Sequence, residues 1–162
     1  MTERSFENLN KLTDADGNEI YDIKIDRNGQ WWHEGQPIKR HALAKLFSTV
    51  LKYDENKDEY WLITPAERGK ISVEDVPFVI VNYTYADHIL KLWTNLDHEI
   101  DVCEDHPIFL KNNLPYVVVR ENLHARINRA VYYDLIELGT IQGHDISIHS
   151  HNHNWVLGHI DE

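Results

Sequence analysis

The sequence predicts an α+β protein built from two repeated modules, each pairing antiparallel strands with one amphipathic helix. Two observations lead there. Ile38, Arg40, Leu43, Phe47, Val50, Leu51 and Tyr53 recur without a gap as Val118, Arg120, Leu123, Ile127, Ala130, Val131 and Tyr133. Each copy reads as a strand end, an arginine and a helix, and each is followed by a tryptophan-centred strand, Trp61-Leu62-Ile63 and Trp155-Val156-Leu157. Repeats of this size imply two related half-domains, with a seam between them as the expected place for a ligand.

The elements follow in order. Residues 1–16 read as a polar leader with helical spacing at Phe6, Leu9 and Leu12. Residues 17–75 form the N-terminal module and 76–162 the C-terminal one. Ile20 to Asp26 alternates as a half-buried strand, and Asn28-Gly29 signals a hairpin returning through Gln30 to His33. The first helix is predicted from Arg40 to Lys52, with Leu43, Leu46, Phe47, Val50 and Leu51 as its buried stripe. Strands follow over 59–64, 71–74, 77–85, 89–94, 99–103, 108–111 and 116–119. The second helix is predicted from Asn122 to Leu138, burying Leu123, Ile127, Ala130, Val131, Leu135 and Leu138, with Gly139 as its stop. Strands over 141–150 and 154–157 close the chain.

Composition narrows the function classes. The chain has 162 residues, 42% of them hydrophobic, with five Trp and eight Tyr, which is enough buried area for a folded core. Its net charge of −11 disfavours non-specific nucleic-acid binding and anionic membranes. The single cysteine, Cys103, fits a reducing compartment, and the polar N-terminus is unlike a signal peptide; the expected location is the cytoplasm. No GxSxG, HExxH, Walker A or GxGxxG motif is present, and with the seven glycines scattered no loop is expected to cradle phosphates through backbone amides.

Three groups of residues carry candidate chemistry. Asn122, Arg126, Arg129 and Tyr133 would share one helix face, with Arg120 just before it. Guanidinium forks there suit a phosphate or carboxylate, and the alternative is a solvated face with salt bridges. His149, His151 and His153 alternate along one strand and could bind a divalent metal such as zinc, with a solvent-facing strand edge as the alternative. Asp134 falls on the expected apolar side of the second helix, where a carboxylate needs a partner such as Arg40.

Longer motifs add a resemblance. Trp32-His33-Glu34-Gly35-Gln36-Pro37-Ile38 with Arg40, Tyr60-Trp61-Leu62-Ile63-Thr64-Pro65-Ala66-Glu67, Ile71-Ser72-Val73-Glu74-Asp75-Val76-Pro77-Phe78, and Pro115-Tyr116-Val117-Val118-Val119-Arg120 with Arg126 and Arg129 resemble the bacterial family called domain of unknown function 1285. The resemblance implies a duplicated core of two curved sheets, each with a helix, the second similar to pleckstrin-homology-like folds. It implies a ligand site at the interface of the modules and a signalling role, with a nucleotide-type ligand. Arg40, Thr64, Glu67, Asp75, Arg120, Arg126 and Arg129 are the positions it carries over. The chain departs from the family pattern at His149-Ser150-His151-Asn152-His153. The expected function is therefore a non-catalytic cytosolic sensor that binds a small anionic, nucleotide-like ligand through Arg40, Thr64, Glu67, Arg120, Arg126, Arg129 and Tyr133. The alternatives are a metal-dependent hydrolase at the histidine strip and a protein-interaction module.

Overall fold

A computed structural model describes residues 11–13 and 19–161, the first three by backbone alone. The chain divides into two compact units, Met1–Pro77 and Phe78–Glu162, which are described separately.

Unit 1 begins with β1 (Lys11–Thr13) and β2 (Glu19–Ile25), continues through β3 (Trp31–His33), β4 (Gln36–Pro37) and α1 (His41–Thr49), and ends with β5 (Leu51–Asp54), β6 (Glu59–Ile63) and β7 (Arg68–Val73). The sheet order is β4-β3-β2-β7-β6-β5, with β1 also paired to β2. Tyr21, Ile23 and Ile25 alternate inward along β2, as the period-two pattern requires. The hairpin after β2 is held by Asp26, whose Oδ1 accepts from the Asn28 and Gln30 amides at 2.9 and 3.0 Å, and by Gly29 at φ 81°. Trp31 and Phe47 meet at 6.1 Å between ring centroids in the core beneath α1.

Unit 2 contains β8 (Phe78–Ala86), β9 (Ile89–Thr94), β10 (Glu99–Asp101), β11 (Ile108–Lys111), β12 (Leu114–Arg120), β13 (Leu123–Ile127) and α2 (Arg129–Leu138). It ends with β14 (Thr140–Gln142), β15 (Asp145–Ser150) and β16 (His153–His159). The large sheet runs β10-β9-β8-β13-β12-β11, and β14-β15-β16 form a second, three-stranded sheet. The duplication is one of topology. In each unit three strands meander outward and three meander back, so the sixth lies parallel against the first: β7 on β2, and β13 on β8. Each unit is a curved, mostly antiparallel sheet with one helix, and the half-barrel sheet fits a pleckstrin-homology-like fold.

The residue-by-residue repeat is not the structural one. Leu43 and Phe47 lie on α1, whereas Leu123 and Ile127 lie on β13. A spacing of four satisfies both a helix and a strand, and the tie is broken by Ala125, buried between them as a strand requires. The second helix therefore starts seven residues later than expected, at Arg129. Asn128 caps it, its Oδ1 accepting from the Val131 amide at 2.8 Å. Val131 and Leu135 are its buried residues, while Ala130 and Leu138 are exposed. Asp134 is exposed too, beside Tyr83, and is not the buried carboxylate that the sequence suggested.

Other elements shift less. The first helix is shorter than expected, because Leu51 already opens β5. Only Phe47 and Leu51 of its predicted stripe are fully buried; Leu43, Leu46 and Val50 are half-exposed. Leu12 belongs to β1, not to a helical leader, and Phe6 and Leu9 lie outside the described residues. The predicted strand over 141–150 is a hairpin, β14 and β15, turning at Gly143 with φ 62°.

Candidate functional site

The candidate site grows from the β6–β7 turn of unit 1. Pro65 presets the backbone bend, and Thr64 closes it: the Thr64 amide donates to the Glu67 carbonyl at 2.8 Å, and the Glu67 amide donates to Thr64 Oγ1 at 3.0 Å. Thr64 is thus a turn-holding residue. The turn borders a cleft of about 500 Å³ lined by Glu19, Ile63, Thr64, Pro65, Ala66, Glu67 and Arg68. That volume lies within the range of small-molecule sites.

Two contacts set the electrostatics. The Arg68 guanidinium lies 4.4 Å from the centre of the Trp61 ring, a cation–π arrangement that holds a flexible side chain in place. Tyr21, a core residue only 2% exposed, directs its hydroxyl toward Glu67 Oε2 at 3.5 Å. Burial, then the negative charges of Glu67 and Glu19, push the Tyr21 phenol up to about 12. The phenol therefore stays a donor at neutral pH. The cleft combines one guanidinium, two carboxylates and an apolar ledge of Ile63, Pro65 and Ala66.

Only some of the sequence-derived site residues gather here. Thr64 and Glu67 line the cleft together. Arg40 is exposed at the start of α1 and borders a separate apolar cleft with Ala42, Leu43 and Leu46. Asp75 is half-buried at the end of unit 1, and its charge helps raise the Tyr60 phenol, which burial raises most.

The arginines of unit 2 do not share a helix face. Arg126 is on β13, opposite Tyr116 of β12, with its Nε buried. Arg129 is the exposed first residue of α2, and Tyr133, 59% exposed, is one turn further on. Arg120 follows an irregularity in the β12–β13 register that sets it opposite core-facing Leu123, whereas Arg126 alternates outward with His124. Asn122 lies in the turn between the two strands.

The histidines of the strip are also separated. His151 and Asn152 form a two-residue hairpin turn, with φ 49° and 65°, between β15 and β16. His149 Nδ1 meets Asn154 Oδ1 at 2.9 Å, His151 Nε2 meets Asp101 Oδ2 at 3.2 Å, and His153 Nε2 meets Glu104 Oε1 at 2.8 Å. Each ring has its own partner. Among the described residues no three His, Cys, Asp or Glu side chains form a group able to hold a metal ion.

Sequence reasoning missed Arg68 and Glu19. A usable signal was present for Arg68. It follows a turn-forming Thr64-Pro65-Ala66-Glu67, which returns it beside the Trp61 strand in an antiparallel pair. Nothing local marks Glu19, which reaches the cleft through the parallel pairing of β2 and β7.

The fold and the cleft define a two-unit α+β protein of duplicated, curved antiparallel sheets. Residues 14–76 match the family model described as domain of unknown function (DUF1285), N-terminal domain, and residues 77–157 match that of protein of unknown function (DUF1285), C-terminal domain. The chain belongs to the DUF1285 family. It is similar to the crystal structure of a DUF1285 family protein from Silicibacter pomeroyi DSS-3, with 32% identity and a TM-score of 0.79 over 87% of this chain and 81% of that one. It is also similar to the crystal structure of a DUF1285 family protein from Shewanella baltica OS155, with 27% identity and a TM-score of 0.60 over 72% of this chain and 91% of that one. No curated protein matches the chain. Among the described residues no helix is long and apolar enough to cross a membrane.

Proposed function

We propose that this chain is a non-catalytic cytosolic binding module for a small anionic, nucleotide-like ligand, and that the unit 1 cleft receives it. The observation that carries the reading is the lining of the cleft. Arg68 is held over Trp61, Glu19 and Glu67 provide acceptors, and Ile63, Pro65 and Ala66 provide an apolar ledge. A phosphate suits the planar guanidinium, sugar hydroxyls or exocyclic amines donate to carboxylates, and a base needs a flat apolar surface. An anion alone fits poorly, because the two carboxylates outnumber the one guanidinium. A ligand with both a phosphate and hydrogen-bond donors matches all three features.

The test is thermal melting of the full chain against mono- and triphosphate nucleotides, cyclic dinucleotides, sugar phosphates and inorganic phosphate. A ligand at about a hundred times its dissociation constant stabilises the native state by about 2.7 kcal/mol. The reading expects a rise with a nucleotide, little with inorganic phosphate, and loss of the rise in Arg68→Gln. Persistence of the rise in Arg68→Gln together with its loss in Arg126→Gln would move the site to the arginines of unit 2. No rise with any compound would overturn the ligand-binding reading.

A further inference from the structure

Residues 35–53 contain no aspartate or glutamate, the longest such stretch in a chain carrying 27 acidic residues. The same stretch holds Lys39, Arg40, Lys45 and Lys52, four of the chain's 16 lysines and arginines. It forms β4, α1 and the start of β5, so the positive charge is concentrated around one helix. Lys39 and Arg40 are both exposed at the start of that helix.

The helix has a second unusual feature. Ala44, Phe47 and Ser48 face the core. At 100° per residue, Ala42, Leu43 and Leu46 lie on the adjoining arc, and there they stay exposed or half-exposed. With Arg40 they line a cleft of about 370 Å³, distinct from the one beside Thr64. The apolar stripe of α1 is thus wider than the core it covers, and its uncovered part forms a groove with an arginine at its rim.

We infer that this groove on α1 docks an acidic amphipathic segment of a partner protein. The apolar side chains of such a segment fill the Ala42–Leu43–Leu46 groove, and its carboxylates meet Arg40 and Lys39. Charge complementarity selects this occupant. In a chain of net charge −11 an acidic peptide is repelled at long range and is held only where basic side chains stand together, as Lys39 and Arg40 do in the longest acid-free stretch. An apolar groove with a basic rim is the surface that a helix with i, i+3, i+4 apolar anchors and flanking glutamates recognises.

The probe is a synthetic, fluorescein-labelled helical peptide of about 15 residues with Phe and Leu at i and i+4 flanked by glutamates. Its glutamine counterpart and a scrambled version serve as controls, and binding to the full chain is read by fluorescence anisotropy. The acidic peptide is expected to bind, weakening about tenfold in Leu46→Gln and about tenfold in Arg40→Glu, with affinity falling as salt rises. Arg40→Glu is a surface change, so an unchanged circular dichroism spectrum separates loss of binding from loss of fold. Absence of binding, or equal affinity for the glutamine or scrambled peptide, overturns the inference. So does binding that emerges only when residues 1–10 are removed, which would assign the groove to the chain's own leader. Co-sedimentation of the wild type with phosphatidylglycerol vesicles that is lost in Arg40→Glu would assign the surface to a membrane and overturn it as well.

Discussion

Gly69→Ala should destabilise unit 1 by about 1–3 kcal/mol, although a glycine-to-alanine change inside a strand is ordinarily favourable or neutral. The usual gain comes from the unfolded chain, which loses freedom, and no strained backbone opposes it here, because Gly69 does not adopt a positive φ. The opposing term is steric. A Cβ on Gly69 would lie 2.4 Å from Tyr21 Cε2 and Cζ and 2.5 Å from Cδ2. Carbon atoms in contact prefer roughly 3.5–4.0 Å, so the deficit exceeds about 1 Å. The Tyr21 ring cannot swing away, being 2% exposed, nor can β7 move freely, being paired to β2 on one side and β6 on the other. Overpacking therefore outweighs the entropic gain. The assay is urea unfolding followed by tryptophan fluorescence, completed as a double-mutant cycle with Tyr21→Val. The second change opens a cavity, yet it should cost at least about 1 kcal/mol less in the Gly69→Ala background than alone. A cost below about 0.5 kcal/mol for Gly69→Ala, or additive effects in the cycle, would refute the reasoning. The same clash would displace the ring that faces Glu67, so the nucleotide binding proposed for the cleft should weaken in parallel.

Ser150→Ala should cost about 2–4 kcal/mol, measured by the same denaturation with unit 2 probes. Its fully buried hydroxyl accepts from the Leu90 amide at 2.9 Å and donates to the Val102 carbonyl at 2.8 Å, and alanine leaves both groups unpaired. Stability of unit 1 should fall as pH rises from about 10 toward 12. Burial and the charges of Glu67 and Glu19 raise the folded Tyr21 phenol from 10.0 to about 12, and the Tyr60 phenol is raised as well, so the unfolded chain ionises first. This contribution is complete below pH 10. Urea midpoints between pH 8 and 12 should show the decline, shallower in Tyr60→Phe, and an unchanged slope would remove the tyrosine as its cause.

Several features of this protein were legible from local pattern alone. The alternation of Tyr21, Ile23 and Ile25, the Asn28-Gly29 turn, and the strands at Ile89–Thr94 and Ile108–Lys111 follow from side-chain periodicity and turn chemistry, which need no distant contact. Two modules and their family membership were likewise readable, since the motifs stand in the chain itself. Other features depended on which segment lies against which. Leu123 and Ile127 fit a helix and a strand equally, and pairing with β8 and β12 decided for the strand, dispersing the expected arginine face. The parallel registers of β7 on β2 and β13 on β8 join residues some fifty positions apart, and no local signal encodes them. Glu19 came to the Thr64–Arg68 turn by that route. His149, His151 and His153 were given separate neighbours by a hairpin turn and by Asp101 and Glu104, both far away in sequence. Periodicity reports which face of an element is apolar, whereas only the folded sheet decides what that face meets.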